Sequence, residues 1–206
     1  MVAAKNQVRI IGGTWRSRVI AFAPRADLRP TPDRVRETLF NWLGQDLTGR
    51  CCLDLFAGSG ALGFEAASRG ARRVVMVERD PAAWRALQTN VAKLAAHAVE
   101  LKRADALEFL RADDGSYDIV FLDPPFRADY LDAVLPVLGP RLAPAALVYV
   151  EAPAAPALPP GWEIWRKCCR RWARVWRPPR WFTSKRRRRL RCRRAGRSGA
   201  TAARAR

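Results

Sequence analysis

Apolar residues follow two alternating patterns along the middle of the chain. Short apolar runs, typical of buried strands, occur at residues 51–56, 73–78, 99–102, 117–122 and 145–150. The segments between them, residues 61–69, 80–96, 106–111 and 130–138, have the patterns of helices. Short apolar strands that alternate with helices predict an α/β fold with a mostly parallel, doubly wound sheet covered on both faces.

The segment before this core has a different pattern. Residues 8–22 predict a small hairpin, with basic residues around a glycine turn. Residues 33–43 predict a helix in which Leu39 lies on the apolar face, whereas Arg34 and Arg36 point away from it. The predicted divisions of the chain are an N-terminal extension at residues 1–46, a core domain at residues 47–167 and a tail at residues 168–206.

A glycine-rich segment, residues 54–63, joins the first strand of the core to the helix that follows it. Gly58 and Gly60 let the backbone approach a ligand closely, and a carboxylate at Glu78 can accept hydrogen bonds from both hydroxyls of a ribose. Asp105 is placed to accept a hydrogen bond from an adenine amino group, to cap the next helix, or both. The predicted cofactor-binding residues are Asp54, Phe56, Ala57, Gly58, Ser59, Gly60, Glu78, Arg79, Asp105 and Ala106.

The same loop fits the dinucleotide fingerprint G-x-G-x-x-G, so a nicotinamide-dependent dehydrogenase is an alternative. Asp54 argues against it, because a loop that binds pyrophosphate gains nothing from a carboxylate at the strand end. The cationic sulfonium and amino groups of S-adenosylmethionine suit that carboxylate, and no candidate site for hydride transfer follows downstream. We therefore expect S-adenosylmethionine as the cofactor.

The tetrapeptide Asp123-Pro124-Pro125-Phe126 follows the fourth predicted strand, at the sheet edge that carries the glycine loop. An amino group on a nucleic-acid base is a poor nucleophile because its lone pair is delocalised into the ring. The Asp123 carboxylate and the Pro124 carbonyl can accept its N–H bonds, the prolines fix the backbone, and Phe126 can stack on a flipped base. We predict that these four residues are catalytic, the alternative being a proline-rich turn that only ends a strand.

Residues 8–166 resemble the bacterial RsmD-type methyltransferases, most specifically at residues 29–43, and also in the glycine loop and the Asp-Pro-Pro-Phe tetrapeptide. The resemblance implies a Rossmann-like class I S-adenosylmethionine-dependent methyltransferase fold. It also implies transfer to the N2 amino group of a guanine in 16S ribosomal RNA of the small subunit. The basic residues expected to contact RNA are Arg9, Arg16, Arg18, Arg34 and Arg36. The alternatives are a DNA amino-methyltransferase acting on adenine N6 or cytosine N4, and a nucleic-acid-binding protein without catalysis.

Most of the positive charge lies in the tail. Residues 168–206 hold 16 of the 38 Lys and Arg and none of the 19 Asp and Glu, so the formal charge of +19 falls to +3 without them. The RsmD pattern continues here with a last antiparallel strand, but this sequence turns to Arg, Trp, Pro and Cys. We hypothesise a frameshift, which would leave the sheet one strand short and which resequencing of the locus would test. The alternative is a basic RNA-binding extension with Trp172, Trp176 and Trp181.

The remaining composition argues against a membrane or metal protein. No apolar run approaches the ~18 residues that span a bilayer, and residues 1–13 lack the apolar core of a signal peptide. The five cysteines lack the spacing of a zinc site, and His97 is the single histidine. We therefore expect a cytoplasmic protein without a metal, and also a monomer.

Overall fold

The structure is a computed structural model that describes residues 6–24, 30–124, 128–152, 159–160, 162–167 and 174–177. Its strands are β1 (Gln7–Arg9), β2 (Val19–Ala21), β3 (Cys51–Asp54), β4 (Arg73–Val77), β5 (Val99–Lys102), β6 (Tyr117–Leu122), β7 (Leu142–Val150), β8 (Glu163–Lys167) and β9 (Arg174–Arg177). Its helices are α1 (Asp33–Leu43), α2 (Ala61–Ser68), α3 (Pro81–Leu94), α4 (Ala106–Ala112) and α5 (Ala128–Leu138). All predicted core elements are present, with small shifts at their ends.

Seven strands form one sheet in the order β5-β4-β3-β6-β7-β9-β8. Five of them, β5, β4, β3, β6 and β7, are parallel, whereas β9 runs antiparallel to both of its neighbours. The chain builds the sheet outward from β3 to β5 and then returns to place β6 on the other side of β3. This reversal puts the switch point, where such sheets bind ligands, between β3 and β6.

Strand residues face the two sides of the sheet in turn. In β3, Cys52 belongs to the hydrophobic layer formed with α1, α2, α3 and the hairpin, whereas Cys51 and Leu53 belong to the layer formed with α4 and α5. Helices therefore cover both faces, which confirms the predicted doubly wound α/β fold. In the described part of the chain, no helix has both the length and the apolar character to cross a membrane.

The helix caps explain where the helices of the core begin. Asp80 caps α3, since its side chain accepts hydrogen bonds from the main-chain N–H groups of Ala82 and Ala83, and Pro81 occupies the first turn. Asp105 caps α4 by accepting a hydrogen bond from the Leu107 N–H at 2.9 Å. Both caps follow directly from the sequence. They fix the carboxyl ends of β4 and β5 against the helices that follow.

The N-terminal hairpin of β1 and β2 shares the core of the protein rather than standing apart. The side chain of Ile20 is fully buried in the hydrophobic layer that contains α1, α2 and α3. The turn lies against the end of α2, where the Ser68 Oγ donates to the Gly12 carbonyl at 2.6 Å and the Ser68 carbonyl accepts from the Thr14 N–H at 2.7 Å. Gly13 has a φ of +74°, and a Cβ there would lie 1.8 Å from the Ser68 carbonyl oxygen, so only glycine fits.

The outer edge of β2 is bound by α3. The buried Asn90 side chain accepts a hydrogen bond from the Ala21 N–H at 3.2 Å and donates one to the Ala21 carbonyl at 2.7 Å. Lys93 Nζ donates to the Val19 carbonyl at 2.8 Å. The hairpin is therefore tied to α2 by its turn and to α3 by its edge.

The tail contributes a strand to the sheet, which corrects one expectation. The frameshift hypothesis implied a sheet one strand short, but Arg174–Arg177 forms β9 between β7 and β8. Main-chain pairing on both sides holds this strand in place, and such pairing requires no particular side-chain pattern. The hypothesis itself stays untested. Trp172 and Trp181 and the basic run after Lys185 lie outside the described residues.

Candidate active site

Acidic residues end or follow four neighbouring parallel strands at one edge of the sheet. Asp54 ends β3, and Glu78, Asp123 and Glu151 directly follow β4, β6 and β7. The register of β3 with β6 places Asp54 opposite Phe121, two residues before Asp123. The carboxyl groups therefore surround the switch point, where a ligand with positive charge or with several hydrogen-bond donors is favoured.

Asp54 is buried at the start of the glycine loop, with 2% of its surface exposed. Its Oδ2 accepts a hydrogen bond from the Gly63 N–H in α2 at 2.9 Å. Burial raises the pKa of Asp54 to about 7; the Gly63 hydrogen bond opposes this rise, and the nearby charge of Glu78 adds to it. A cationic ligand at this point would favour the ionised form of the carboxyl group.

The glycines of the loop meet separate requirements. Gly60 has a φ of +79°, and a Cβ there would come within 2.6 Å of the Phe64 ring and 2.7 Å of the Leu87 side chain. Gly63 is the third glycine of the fingerprint, and a Cβ there would lie 2.8 Å from the sulfur of Met76 in β4. Gly60 is therefore needed for the turn of the loop, and Gly63 for the close packing of α2 on the sheet.

Glu78 links the glycine loop to the start of α3. Its two carboxylate oxygens accept hydrogen bonds from the Gly58 N–H at 2.9 Å and from the Asp80 N–H at 2.7 Å. The next residue, Arg79, has an exposed side chain whose guanidinium lies 3.8 Å from the Asp105 carboxylate. Glu78 therefore has a fixed position with lone pairs still available, as a ribose-binding carboxylate requires.

Asp105 lies in a small cluster with two aromatic residues. Its Oδ2 accepts a hydrogen bond from the hydroxyl of Tyr130 in α5, and the Tyr130 ring meets the Phe56 ring edge-on with centroids 5.6 Å apart. Burial favours a higher pKa for Asp105, but the hydrogen bonds from Tyr130 and Leu107 outweigh it and lower the pKa. Asp105 is therefore held as an ionised acceptor, beside rings on which a planar base could pack.

Asp123 is a partly buried carboxyl group next to two other acids. Burial raises its pKa well above the usual range, and the charges of Glu151 and Asp54 raise it further, whereas a hydrogen bond with the Thr31 side chain lowers it. Pro124 is buried behind it. Pro125 and Phe126, the other two predicted catalytic residues, lie outside the described residues.

A cleft connects the glycine loop with Asp123. Its empty space measures about 340 Å³, a volume that includes space open to solvent. Its lining residues are Pro30, Thr31, Asp54, Phe56, Ala57, Gly58, Ser59, Ala61, Leu62 and Asp123. The structure thus brings most of the predicted cofactor loop and the predicted catalytic Asp123 to one cleft, and residues just before α1 complete its wall.

The comparisons with known proteins decide the family. A family described as "Conserved hypothetical protein 95" matches residues 8–173, and the Escherichia coli (strain K12) protein "Ribosomal RNA small subunit methyltransferase D" is 42% identical over 170 residues, which cover 80% of this chain and 86% of the relative. The chain belongs to this family. The predicted resemblance to the RsmD proteins is confirmed.

Solved structures agree with this assignment to the RsmD family. The yhhF protein of Escherichia coli superposes with a TM-score of 0.76 and 43% identity, over 85% of this chain and 99% of that one. An RNA methyltransferase from Salinibacter ruber in complex with S-adenosyl-L-homocysteine shares the fold, with a TM-score of 0.59 and 24% identity over 76% of this chain and 98% of that one. The chain is therefore a methyltransferase of this family.

The groups at this edge of the sheet fit S-adenosylmethionine by their own chemistry. Asp54 in the cleft offers negative charge to a cation. Glu78 and Asp105, which are not among the residues that line the cleft, offer hydrogen-bond acceptors after the next two strands, β4 and β5. Ala106, the tenth predicted cofactor residue, is buried as the first residue of α4. Among the described residues, no group of three acidic, His or Cys side chains could hold a metal ion.

Four of the five arginines predicted to contact RNA have exposed side chains. These are Arg9, Arg16, Arg18 and Arg34. The prediction for Arg36 is wrong, because its side chain is fully buried, with Nη1 at 3.2 Å from the Glu65 carboxylate in α2 and Nη2 at 2.6 Å from Asp33. An arginine on the polar side of an amphipathic pattern can be buried when another element supplies its carboxylate.

Sequence reasoning missed three residues of this site. Tyr130 and Glu151 lie beside Asp105 and Asp123, and Thr31 touches Asp123. The position of Glu151 directly after a predicted strand is a signal that could have identified it, since ligands bind at strand ends. Nothing in the sequence before α1 distinguishes Thr31, because its contact joins residues far apart along the chain.

Proposed function

We propose that this protein transfers a methyl group from S-adenosylmethionine to the exocyclic N2 of a guanine in 16S ribosomal RNA of the small subunit. The position of Asp123 carries the proposal, since this carboxyl group lines the same cleft as the cofactor loop. The Escherichia coli relative is a ribosomal RNA small subunit methyltransferase by name, which supports the choice of RNA.

The chemistry follows from the groups at this edge of the sheet. S-adenosylmethionine supplies an electrophilic methyl group when it is bound, and Asp54, Glu78 and Asp105 are the residues that would hold it. The carboxylate of Asp123 and the carbonyl of Pro124 accept the two N–H bonds of the base amine, which orients the nitrogen lone pair toward the methyl group. The new N–C bond would form as the bond between the methyl group and the sulfonium sulfur breaks, so that the electron pair leaves on sulfur as a neutral thioether. The nitrogen then carries a positive charge until its proton passes to Asp123 or to water.

Exposed arginines favour RNA binding by the N-terminal extension. Arg9, Arg16 and Arg18 lie along the hairpin, and Arg34 lies on the solvent side of α1. Arg9 is 64% exposed and has only a loose ion pair with Asp33 at 3.8 Å. Such side chains are available to neutralise phosphates, which makes binding to RNA dependent on salt.

A transfer assay tests the proposal against its alternatives. Small subunits that lack the modification, protein-free 16S RNA and duplex DNA are each incubated with the enzyme and labelled S-adenosylmethionine. We expect label on N2 of a guanine in the small subunit. Label on adenine N6 or cytosine N4 of DNA would favour the DNA enzyme, and binding without any transfer would favour a non-catalytic protein.

Asp123→Ala is the first variant to test. Loss of an acceptor that acts at the reacting atom should reduce transfer by at least ~100-fold, while cofactor affinity measured by calorimetry with S-adenosyl-L-homocysteine stays close to that of the unmodified protein. Glu37→Ala, on the exposed side of α1, is a matched control that should leave both unchanged. An Asp123→Ala variant with full activity would refute the assigned role.

The proposed setting is a monomer in the cytoplasm that needs no metal. Activity in the presence of a chelator tests whether a metal is needed, and the mass of the protein in solution tests the monomeric state.

A further inference from the structure

Thr31 connects the N-terminal extension with Asp123, the predicted catalytic carboxyl group. Thr31 is buried, with 5% of its surface exposed, and it lines the cleft. Its hydroxyl forms a hydrogen bond with the Asp123 carboxyl group. Thr31 lies ahead of α1, and the helix is capped at Pro32 without a side-chain hydrogen bond. The N-terminal extension therefore lines the cleft with Pro30 and Thr31, and the hydroxyl of Thr31 contacts the predicted catalytic carboxyl group.

Buried ion pairs hold the main chain of Thr31 in place. Arg36 Nε donates to the Thr31 carbonyl at 3.1 Å, and Arg36 Nη1 donates to Glu65 at 3.2 Å. Glu65 is itself fully buried in α2, the helix that follows the cofactor loop, and also accepts from Arg69 and from the Ile11 N–H. A guanidinium that binds a carbonyl and carboxylate at once restricts both partners, so Thr31 has a fixed position relative to the core.

The charges around Asp123 explain why this hydroxyl matters. Asp54 at the end of β3 and Glu151 after β7 are acids close to Asp123, and the negative charge of each disfavours a further negative charge on Asp123. A protonated Asp123 has one acceptor oxygen fewer for the amine. A hydroxyl that donates to the carboxylate stabilises the ionised form, because a hydrogen bond to the charged state lowers the pKa.

We propose that Thr31 is a positioning residue whose hydroxyl donates to the Asp123 carboxylate and orients it toward the base amine, and that Arg36 and Glu65 hold Thr31 there. The role rests on the proposed methyl transfer, in which Asp123 accepts the N–H bond. Thr31 acts through Asp123 and does not itself touch the reacting atoms. The N-terminal extension thus contributes to the chemistry as well as to RNA binding.

The test compares Thr31→Val with Thr31→Ser. Valine keeps the shape and removes the hydroxyl, whereas serine keeps the hydroxyl. Thr38→Val is a matched control, since the Thr38 hydroxyl donates to the Arg34 carbonyl on an exposed part of α1. The pKa of Asp123 is measured by carbon NMR of the labelled carboxyl groups in the full chain, with the signal assigned by Asp123→Asn.

Thr31→Val should raise the pKa of Asp123, because a hydrogen bond to the charged form is lost, and Thr31→Ser and Thr38→Val should leave it near the original value. We also measure the single-turnover rate at saturating cofactor as a function of pH. In Thr31→Val, the fall of this rate on the acid side of the profile (the acid limb) should shift to higher pH by the same amount as the pKa. Thr31→Ala serves the same purpose should the valine variant fold poorly, as judged by thermal denaturation.

The outcomes separate this role from the proposed function. An unchanged Asp123 pKa in a folded Thr31→Val or Thr31→Ala variant would overturn the role of Thr31, whatever the substrate is. An equal loss of rate at all pH values, not rescued by serine, would also overturn it and indicate packing alone. Failure of the unmodified enzyme to methylate small subunits would instead reject the substrate, while the NMR titration would still decide the role of Thr31.

Discussion

At the residue scale, the site is dominated by carboxyl groups that influence each other. The negative charges of Glu151, after the neighbouring strand β7, and of Asp54, at the end of β3 on the other side, both raise the pKa of Asp123. Because it is the ionised form that accepts the amine N–H bond best, transfer should fail as the pH falls through the raised pKa of Asp123. The same reasoning predicts that removal of a neighbouring negative charge moves this limb in the opposite direction from removal of Thr31.

Glu151→Gln tests this directly. The amide keeps an acceptor for the Tyr149 hydroxyl, which lies 3.3 Å from the Glu151 carboxylate, but removes the negative charge that raises the pKa of Asp123. We expect the acid limb of the single-turnover rate to shift to lower pH, with the plateau rate preserved. Glu37→Gln, on the exposed side of α1, should leave the profile unchanged. An acid limb that shifts to higher pH, or stays at the same pH, would contradict the electrostatic account.

Single residues were predictable where local rules apply to them. Asp54, Glu78 and Asp105 follow predicted strands, and the chemistry of a cationic adenosine ligand explains their acidic side chains. Arg36 was assigned to the wrong environment, because its carboxylate partner Glu65 comes from another helix and no local pattern shows that pairing. Tyr130 was missed for the same reason, since its hydroxyl meets Asp105 across 25 positions of sequence.

At the element scale, α1 is attached to α2 through a buried ion network. Glu65 forms ion pairs with Arg36 of α1 and with Arg69, which follows its own helix. The Arg69 guanidinium also lies 4.6 Å from the centre of the Phe40 ring. Buried charges without partners are costly, so these groups depend on each other. The network, and not only hydrophobic contact, sets how the N-terminal extension sits on the core.

Arg36→Ala should therefore lower the free energy of unfolding by about 3 kcal/mol. The value lies at the low end for a broken buried pair because Arg69 still neutralises Glu65. Arg34→Ala, two positions away on the exposed side of the same helix, should change it by less than about 0.5 kcal/mol. Urea unfolding followed by circular dichroism measures both, and equal values for the two variants would show that the network adds nothing to stability.

At the scale of the whole molecule, the order of strands was predictable only in part. Five parallel strands and their helices follow from the alternation of patterns, because each βα unit has its own apolar signal. The strand β9 could not be predicted, since Arg174–Arg177 carries two arginines in four residues and its place depends on pairing with β7 and β8. The tail was judged by its composition, and composition does not indicate which main-chain groups find partners.

Two truncated chains distinguish the contribution of β9 to stability from that of the rest of the tail. A chain that ends after Arg177 keeps β9 and should retain the free energy of unfolding of the full protein. A chain that ends after Lys167 loses pairing on β7 and on β8, and we expect a loss of at least ~2 kcal/mol, because the pairs of several residues disappear together. Chemical denaturation of both chains checks this, and equal stability of the two would rule out a structural role for β9.

The contact of α3 with the hairpin has a consequence for self-association. A two-stranded ribbon exposes unpaired N–H and C=O groups along its outer edges, and such edges can recruit strands from other molecules. Here the Asn90 amide occupies both outward groups of Ala21, and Lys93 occupies the carbonyl of Val19. One helix thus closes the β2 edge to strand addition, so the hairpin can offer its arginines to a partner without polymerising through that edge.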